Sequence, residues 1–338
     1  MTGYAVGVDV GGTKVAAGVV DSAGRILSRF VLPCPGDSRP DEVVRVVVEA
    51  LRAALSRSPV SLGELDGVGL GCAGHVNGPA GIVLTSSNLE GWDGFPLRDV
   101  VADAVGIPVR LENDANCAAL AEHRFGAGRG TRHMCYVAIS TGCGMGIIVD
   151  GRLYVGATGT AGELGHTVVD ADGPRCACGK RGCVMSFACG MAVSRMAREA
   201  LEAGASSALR DVLLDGGEVT CEGVAAAASG GDRLARELIE VCGRYLGIAL
   251  STVVQVLNPE VIVLGGGLTQ MGPPLLDPCR AALLENVHPV LADSCQLVLA
   301  QLGPDAGLVG AATLVWDRLE QSRPFAPGGS VKLVGGQV

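Results

Sequence analysis

The feature that most restricts the fold is a short apolar run that breaks at a polar, glycine-marked tip and resumes at once. Residues 4–8 run into Asp9-Val10-Gly11-Gly12-Thr13-Lys14, and an apolar run over 15–20 follows directly. Apolar runs of strand length on either side of Gly-Gly predict two strands joined by a tight turn. A related arrangement returns at 136–139, Ser140-Thr141-Gly142-Cys143-Gly144 and 145–149, with Asp150-Gly151 as the next turn signal. Two such hairpins suggest two similar lobes. The echo between them is loose, a hint of duplication rather than a repeat.

Between the hairpins strands and helices alternate. Residues 40–56 are apolar at helical spacing, 67–70 read as a strand, a proline-glycine loop follows, and a helix begins near Asn113 and runs over 115–125. Beyond the second hairpin, 190–204 and 232–257 read as helices, and 261–264 is a buried strand ending in Gly265-Gly266-Gly267. Such alternation predicts an α/β fold. With 338 residues, 48% of them hydrophobic, the chain can bury two cores, so two domains are expected. Residues 323–338, rich in glycine and proline, are expected to form a flexible tail.

A formal net charge of -9 leaves no basic footprint, which argues against nucleic acid or an anionic membrane as partner. Any phosphate site must therefore be local. The apolar stretches around 246–257 and 261–264 are short or interrupted by polar residues, so no membrane span is expected. The 13 cysteines are scattered and the first residues lack a signal-peptide pattern, which fits a reducing cytoplasm with thiols as packing groups or metal ligands.

A glycine-rich turn leaves backbone N–H groups uncovered for a polyphosphate, and a nearby carboxylate can hold Mg²⁺ through water. Asp9, Gly11, Gly12, Thr13 and Lys14 offer this combination. Glycines in a tight hairpin can also serve only to permit a positive φ. Three glycine-marked strand ends, Gly11-Gly12, Gly142 with Gly144, and Gly265 to Gly267, favour the nucleotide, because a ligand held between two lobes needs close backbone approach from each side.

Cys176-Ala177-Cys178-Gly179-Lys180-Arg181-Gly182-Cys183 places three thiols in a polar, glycine-rich loop, and His166 lies ten residues before the first. A Cys₃His set is closed and tetrahedral, so it predicts a structural zinc that ties the loop down. Cys189 reads as apolar packing. With one nitrogen of His166 on the metal, the other can hydrogen-bond a ligand. Glu163, three residues earlier, adds a carboxylate.

Leu111-Glu112-Asn113-Asp114-Ala115-Asn116 opens the helix over 115–125, where an Asp or Asn often does no more than cap. Phosphoryl transfer asks little more of a protein than a base for the attacking hydroxyl and held phosphates. Asp114 is the natural base and Asn113 can hold a sugar hydroxyl. Glu112 and Asp9 are rivals, but Asp9 is better suited to Mg²⁺.

These pieces resemble the ROK family of bacterial sugar kinases and repressors, above all its glucokinase-like members. The matches are DxGGTK at 9–14, ENDAN at 112–116 continuing into Arg124-Phe125-Gly126-Ala127-Gly128, ExGH at 163–166, CxCGxxGC at 176–183, and Asn88-Leu89-Glu90-Gly91-Trp92 as an NLxxW segment. The resemblance implies a two-domain actin-like, hexokinase-like (ribonuclease H-like) α/β fold with ATP and sugar in the interdomain cleft. The small domain would be 1–118 with a helix at 307–322 returning to it, and the large domain 119–306 with the zinc loop 166–183. It implies Asp114 as base, and a sugar held by Asn88, Asn113, Asp114, Glu163 and His166. ATP would be held by Asp9, Gly11, Gly12, Thr13, Lys14, Thr141, Gly142, Gly265, Gly266 and Gly267, with Mg²⁺ reached from Asp9 through water. Zinc would be held by His166, Cys176, Cys178 and Cys183, and a homodimer or homotetramer is expected.

Two departures bear on the sugar. Glucokinase-like members carry a sugar-contacting glutamate two residues after the last cysteine of the motif, where this chain has Met185, and losing one charge-assisted hydrogen bond costs about 1.5–3 kcal/mol, tenfold to a hundredfold in affinity. The loop 71–77 lacks the family's proline and carries His75. Glucose and an amino sugar such as kanosamine therefore both remain open as substrates of 6-phosphorylation. A sugar-responsive transcriptional regulator is disfavoured, since the family's repressors carry a DNA-binding domain before the phosphate loop and eight residues precede Asp9 here. Retention of Asp9, Asp114 and the zinc ligands disfavours a non-catalytic sugar-binding protein.

Overall fold

A computed structural model describes residues 3–34, 39–85 and 91–317. β1 (Tyr4–Val10), β2 (Lys14–Asp21) and β3 (Ile26–Pro33) form an antiparallel meander around the first glycine tip. β4 (Leu65–Cys72) runs parallel to β1. A two-stranded hairpin of β5 (His75–Asn77) and β6 (Ile82–Thr85) follows, and β7 (Val109–Asn113) then joins β4 in parallel. The sheet order is β3-β2-β1-β4-β7. The inner strands are apolar almost throughout because both faces are covered, whereas β3, at the edge, alternates.

The second sheet is built the same way. β8 (Met134–Ile139), β9 (Cys143–Val149) and β10 (Arg152–Leu153) make the antiparallel meander, and β11 (Val261–Gly265) and β12 (Gln296–Leu299) extend it in parallel, in the order β10-β9-β8-β11-β12. Strand for strand this is the pairing of the first sheet. The duplication that the sequence only hints at is complete in the topology.

Each sheet has helices on both faces. The outer face of the first is covered by α1 (Pro40–Ser56) and α2 (Leu97–Val105). Proline at the start of α1, acidic residues in its first turn and buried Val43, Val47, Ala50, Leu51 and Ala54 at helical spacing explain why it forms where the sequence predicts it. Between the sheets lies α3 (Asp114–Phe125). The outer face of the second sheet packs against α4 (Gly190–Glu202), α6 (Cys221–Ser229), α7 (Arg233–Leu257) and α8 (Pro273–Asn286), with the short α5 (Arg210–Leu214) beside α4. α7 is one unbroken 25-residue helix, long and apolar enough by length and composition to cross a bilayer, contrary to the expectation of interrupted stretches. It packs along α8, and 56% of its most apolar window is buried in the protein.

The returning helix, α9 (Ala306–Thr313), lies against β1, β4 and α3. It is shorter than the expected 307–322. After Thr313 the N–H groups of Val315 and Trp316 bond carbonyls three residues back, so the helix tightens into a turn, and 318–322 lie outside the described residues. Trp316 Nε1 donates to Asp66 Oδ2 at 2.8 Å and fixes this end to the first sheet. The close approach of α9 depends on Gly69 of β4, where a Cβ would collide with the Ala311 carbonyl.

Candidate active site

At the end of β7 the chain enters α3 through Asn113, whose Oδ1 accepts the N–H groups of Ala115 and Asn116 at 2.9 and 3.2 Å. Asn113 is therefore the cap and Asp114 the first helical residue, which releases Asp114 from the commonest role of an aspartate at a helix start. Asp114 Oδ1 accepts the Ala115 N–H at 2.9 Å. Asn113 Nδ2 donates to the Gly74 carbonyl at 3.0 Å, leaving its second N–H for a ligand. Glu112, the rival base, is fully buried behind the junction, with Oε1 taking the Asn113 N–H at 2.8 Å and Asn116 Nδ2 at 2.9 Å. Burial pushes its carboxyl up to about 7.

Asp114 lines a cavity of about 400 Å³ between the two sheets, shared with Asp9, Lys14, Tyr136, Gly265, Gly266, Gly267 and Gly307. Burial pushes its carboxyl up to about 6, repulsion from Asp9 adds to the rise, and the Ala115 N–H opposes it. Asp9 is raised too, by burial, against the pull of the Lys14 ammonium. A carboxylate held near 6 is ionised at neutral pH and a stronger proton acceptor than an ordinary one. Gly266 takes φ 91°, and a Cβ there would strike the Ile139 carbonyl, so its glycine serves the backbone. Gly267 faces open space. The start of α9, at Ala306 and Gly307, also borders the cavity, and a helix N-terminus favours an anion.

A second cavity of about 990 Å³ shares Ser140, Gly267 and Gln270 with the first and extends between α4, α6 and α8, with Thr141, Thr220 and Arg236 on its walls. The two adjoin at these shared residues, the narrow one lined by carboxylates and a lysine and the wide one large enough for a nucleoside. Of the predicted loop residues, Gly11, Gly12 and Thr13 form the β1–β2 turn, with Gly11 N–H on the Lys14 carbonyl at 3.0 Å, but line neither cavity. Gly142 lines neither; it faces the Met185 methyl.

The cysteine loop brings one donor atom each from His166, Cys176, Cys178 and Cys183 within 4.8 Å of one another. Cys178 Sγ and Cys183 Sγ are 3.7 Å apart, and Cys176 Sγ lies 3.7 Å from His166 Nδ1. Zn–S bonds of about 2.3 Å in a tetrahedron give sulfur edges near 3.8 Å, so the spacing fits zinc. Cys189 is buried and turned to the Met185 carbonyl, outside this set, as predicted.

His166 Nδ1 faces the thiols, so Nε2 is the nitrogen left for another partner. Glu163 accompanies it, and His75, from β5, lies 3.4 Å from Glu163 through Nε2 and stacks on the His166 ring. The hydrogen bond to Glu163 raises the His75 pKa, while burial lowers that of His166. Asn88 lies outside the described residues. Tyr136, Gly307, Gln270 and the wide cavity were missed by sequence reasoning, because none belongs to a local pattern. His75 gave a signal, as a departure from the expected loop.

The pattern of the ROK family matches residues 5–318. A glucokinase of Streptomyces coelicolor is 37% identical over 92% of this chain and 97% of its own length, and a glucokinase of Halalkalibacterium halodurans 35% identical over 92% and 94%. The crystal structure of a ROK family glucokinase from Streptomyces griseus in complex with glucose and AMPPNP superimposes with a TM-score of 0.78 at 38% identity, covering 92% of this chain and 99% of that one.

Proposed function

Because the chain belongs to the ROK family, we propose that it transfers the γ-phosphate of ATP to the 6-hydroxyl of glucose or of a glucose-like amino sugar such as kanosamine, with Asp114 as general base. It is an ATP-dependent hexose kinase of two-domain α/β fold. The observation that carries the finer reading is the meeting of Asp114, Asp9, Lys14 and Gly265 to Gly267 around one cavity, with the Asp114 carboxyl pushed up to about 6.

In this reading residues 1–118 with the returning helix and residues 119–306 are the two domains, and the nucleoside of ATP takes the wide cavity. Its phosphates reach the narrow one, where Lys14, the turn at Gly265 to Gly267 and the α9 N-terminus offer N–H donors and positive charge. Mg²⁺, held from Asp9 through water, supplies neutralisation of the phosphate charge when bound. Asn113, Glu163 and His166 hold the sugar, together with Asn88. Asp114 accepts the proton of the hydroxyl as the oxygen attacks. A structural zinc on His166, Cys176, Cys178 and Cys183 keeps the sugar wall in place, which the donor spacing supports.

The test is ATP consumption by the intact protein over glucose, mannose, N-acetylmannosamine, glucosamine, fructose and 3-amino-3-deoxyglucose. Turnover with glucose or the 3-amino sugar, and a 6-phosphate product, is the expected result. No ATP consumption above background with any hexose overturns the proposal.

A further inference from the structure

We propose that Tyr136 is a phosphate-binding residue: from β8 its phenol O–H donates a hydrogen bond to an oxygen of the β- or γ-phosphate of ATP in the narrow cavity. The inference rests on the hexose kinase reading and adds to it a residue outside the expected binding set.

Three observations carry it. Alternation along β8 sends Cys135, Val137 and Ile139 to the outer core of the second sheet and Met134 and Tyr136 to the space between the sheets. There Tyr136 lines the narrow cavity with Asp9, Lys14, Asp114 and the start of α9. A glycine makes room for the phenol. Gly265 does not take a positive φ, so its backbone alone does not require glycine, but a Cβ there would collide with the Tyr136 hydroxyl. The hydroxyl itself has no protein partner. Tyr136 is 5% exposed, yet among the described residues nothing hydrogen-bonds its oxygen. Buried phenols normally find a partner, so an unpartnered one on a cavity wall points to a ligand that supplies it.

The walls select the ligand atom. Burial, followed by the charges of Glu122, Asp114 and Asp9, pushes the phenol well above its ordinary value, so it stays protonated and acts as a donor. Its partner is therefore an acceptor. Lys14 is the only cation among the described residues that line this cavity, and the start of α9 adds the positive end of a helix. An anion drawn to these two lies within the same 400 Å³ as the phenol, and phosphate oxygens are anionic acceptors of that kind.

Tyr136→Phe keeps the ring in place and removes only the hydroxyl. Calorimetric titration of the full chain with AMPPNP and Mg²⁺, and separately with adenosine, separates a phosphate contact from a structural role. The variant is expected to bind AMPPNP about tenfold more weakly, the loss of one hydrogen bond to a charged acceptor, and adenosine as the parent does. Its kcat/KM for ATP should fall by at least the same factor. Without ligand it should melt no lower than the parent, because the hydroxyl has no protein partner to lose. AMPPNP affinity within twofold of the parent overturns the inference, and so do equal losses for AMPPNP and adenosine, which would make the hydroxyl a structural group. Hexose turnover by the parent keeps the two readings apart. AMPPNP binding that depends on the hydroxyl, with no hexose turned over, overturns the kinase reading alone. Turnover with AMPPNP binding unchanged in Tyr136→Phe overturns the role of Tyr136 alone, and no binding of AMPPNP by the parent overturns both.

Discussion

Replacing Asp114 by asparagine should make the protein both slower and more stable. The substitution keeps the size and the Oδ1 acceptor for the Ala115 N–H and removes the charge and the basic oxygen. A positioned base contributes about 10²- to 10⁴-fold, so turnover should fall by that factor, about 3–5 kcal/mol of barrier at 1.36 kcal/mol per decade. The stability gain comes from proton linkage. The Asp114 carboxyl is raised from an ordinary 3.8 to about 6 by burial and by Asp9. The folded state therefore binds more protons than the unfolded state between those values, and stability falls as pH rises through that window. Above it, keeping the charge costs the parent about 3 kcal/mol at 1.36 kcal/mol for each tenfold change in proton affinity. Water in the cleft screens part of this, so the figure is a ceiling. Asparagine carries no such cost. Denaturant unfolding at intervals from pH 4 to 8 should show the variant more stable above pH 6, with the gap closing towards pH 4. The parent kcat/KM should rise with pH through about 6, and the variant should lose that limb. Turnover within tenfold of the parent, or a stability gap that does not close on acidification, would refute the reasoning.

Cys178→Ser removes one of four donors from the closed set, so metal analysis should find the zinc lost and calorimetry a lower melting temperature, since binding energy of the metal is folding energy; full metal content with unchanged melting would sink the ligand assignment. Gly69→Ala places a Cβ against the Ala311 carbonyl, backbone against backbone, so no side chain can yield. Denaturant unfolding should show a loss of about 1–3 kcal/mol, and an unchanged midpoint would mean that α9 does not pack on β4 as closely as described.

What was legible in the sequence was whatever is encoded within a few residues. The Gly11-Gly12 tip between β1 and β2, the proline and acidic start of α1, the change from strand to helix at Asn113 and the Cys176–Cys183 spacing each act through neighbours along the chain. The same local logic left Glu112 a rival to Asp114. Whether a carboxylate at that junction faces the cleft or the core is set by what packs behind it, and Asn116 and the Asn113 N–H claim Glu112 from the core side.

Sequence by itself determined the α/β alternation, the close spacing of three cysteines in one loop and the aspartate at a helix start, because hydrogen-bond geometry and side-chain period act over one or two turns. Tertiary structure alone decided that Asp9 stands near enough to Asp114 to raise its proton affinity, that the start of α9 borders the narrow cavity, and that His75 meets Glu163. These are contacts between residues far apart along the chain, and they form only when two equivalent sheets pack around α3 and α9. Electrostatic coupling and exclusion of water depend on distance through space, and that distance is decided by the packing.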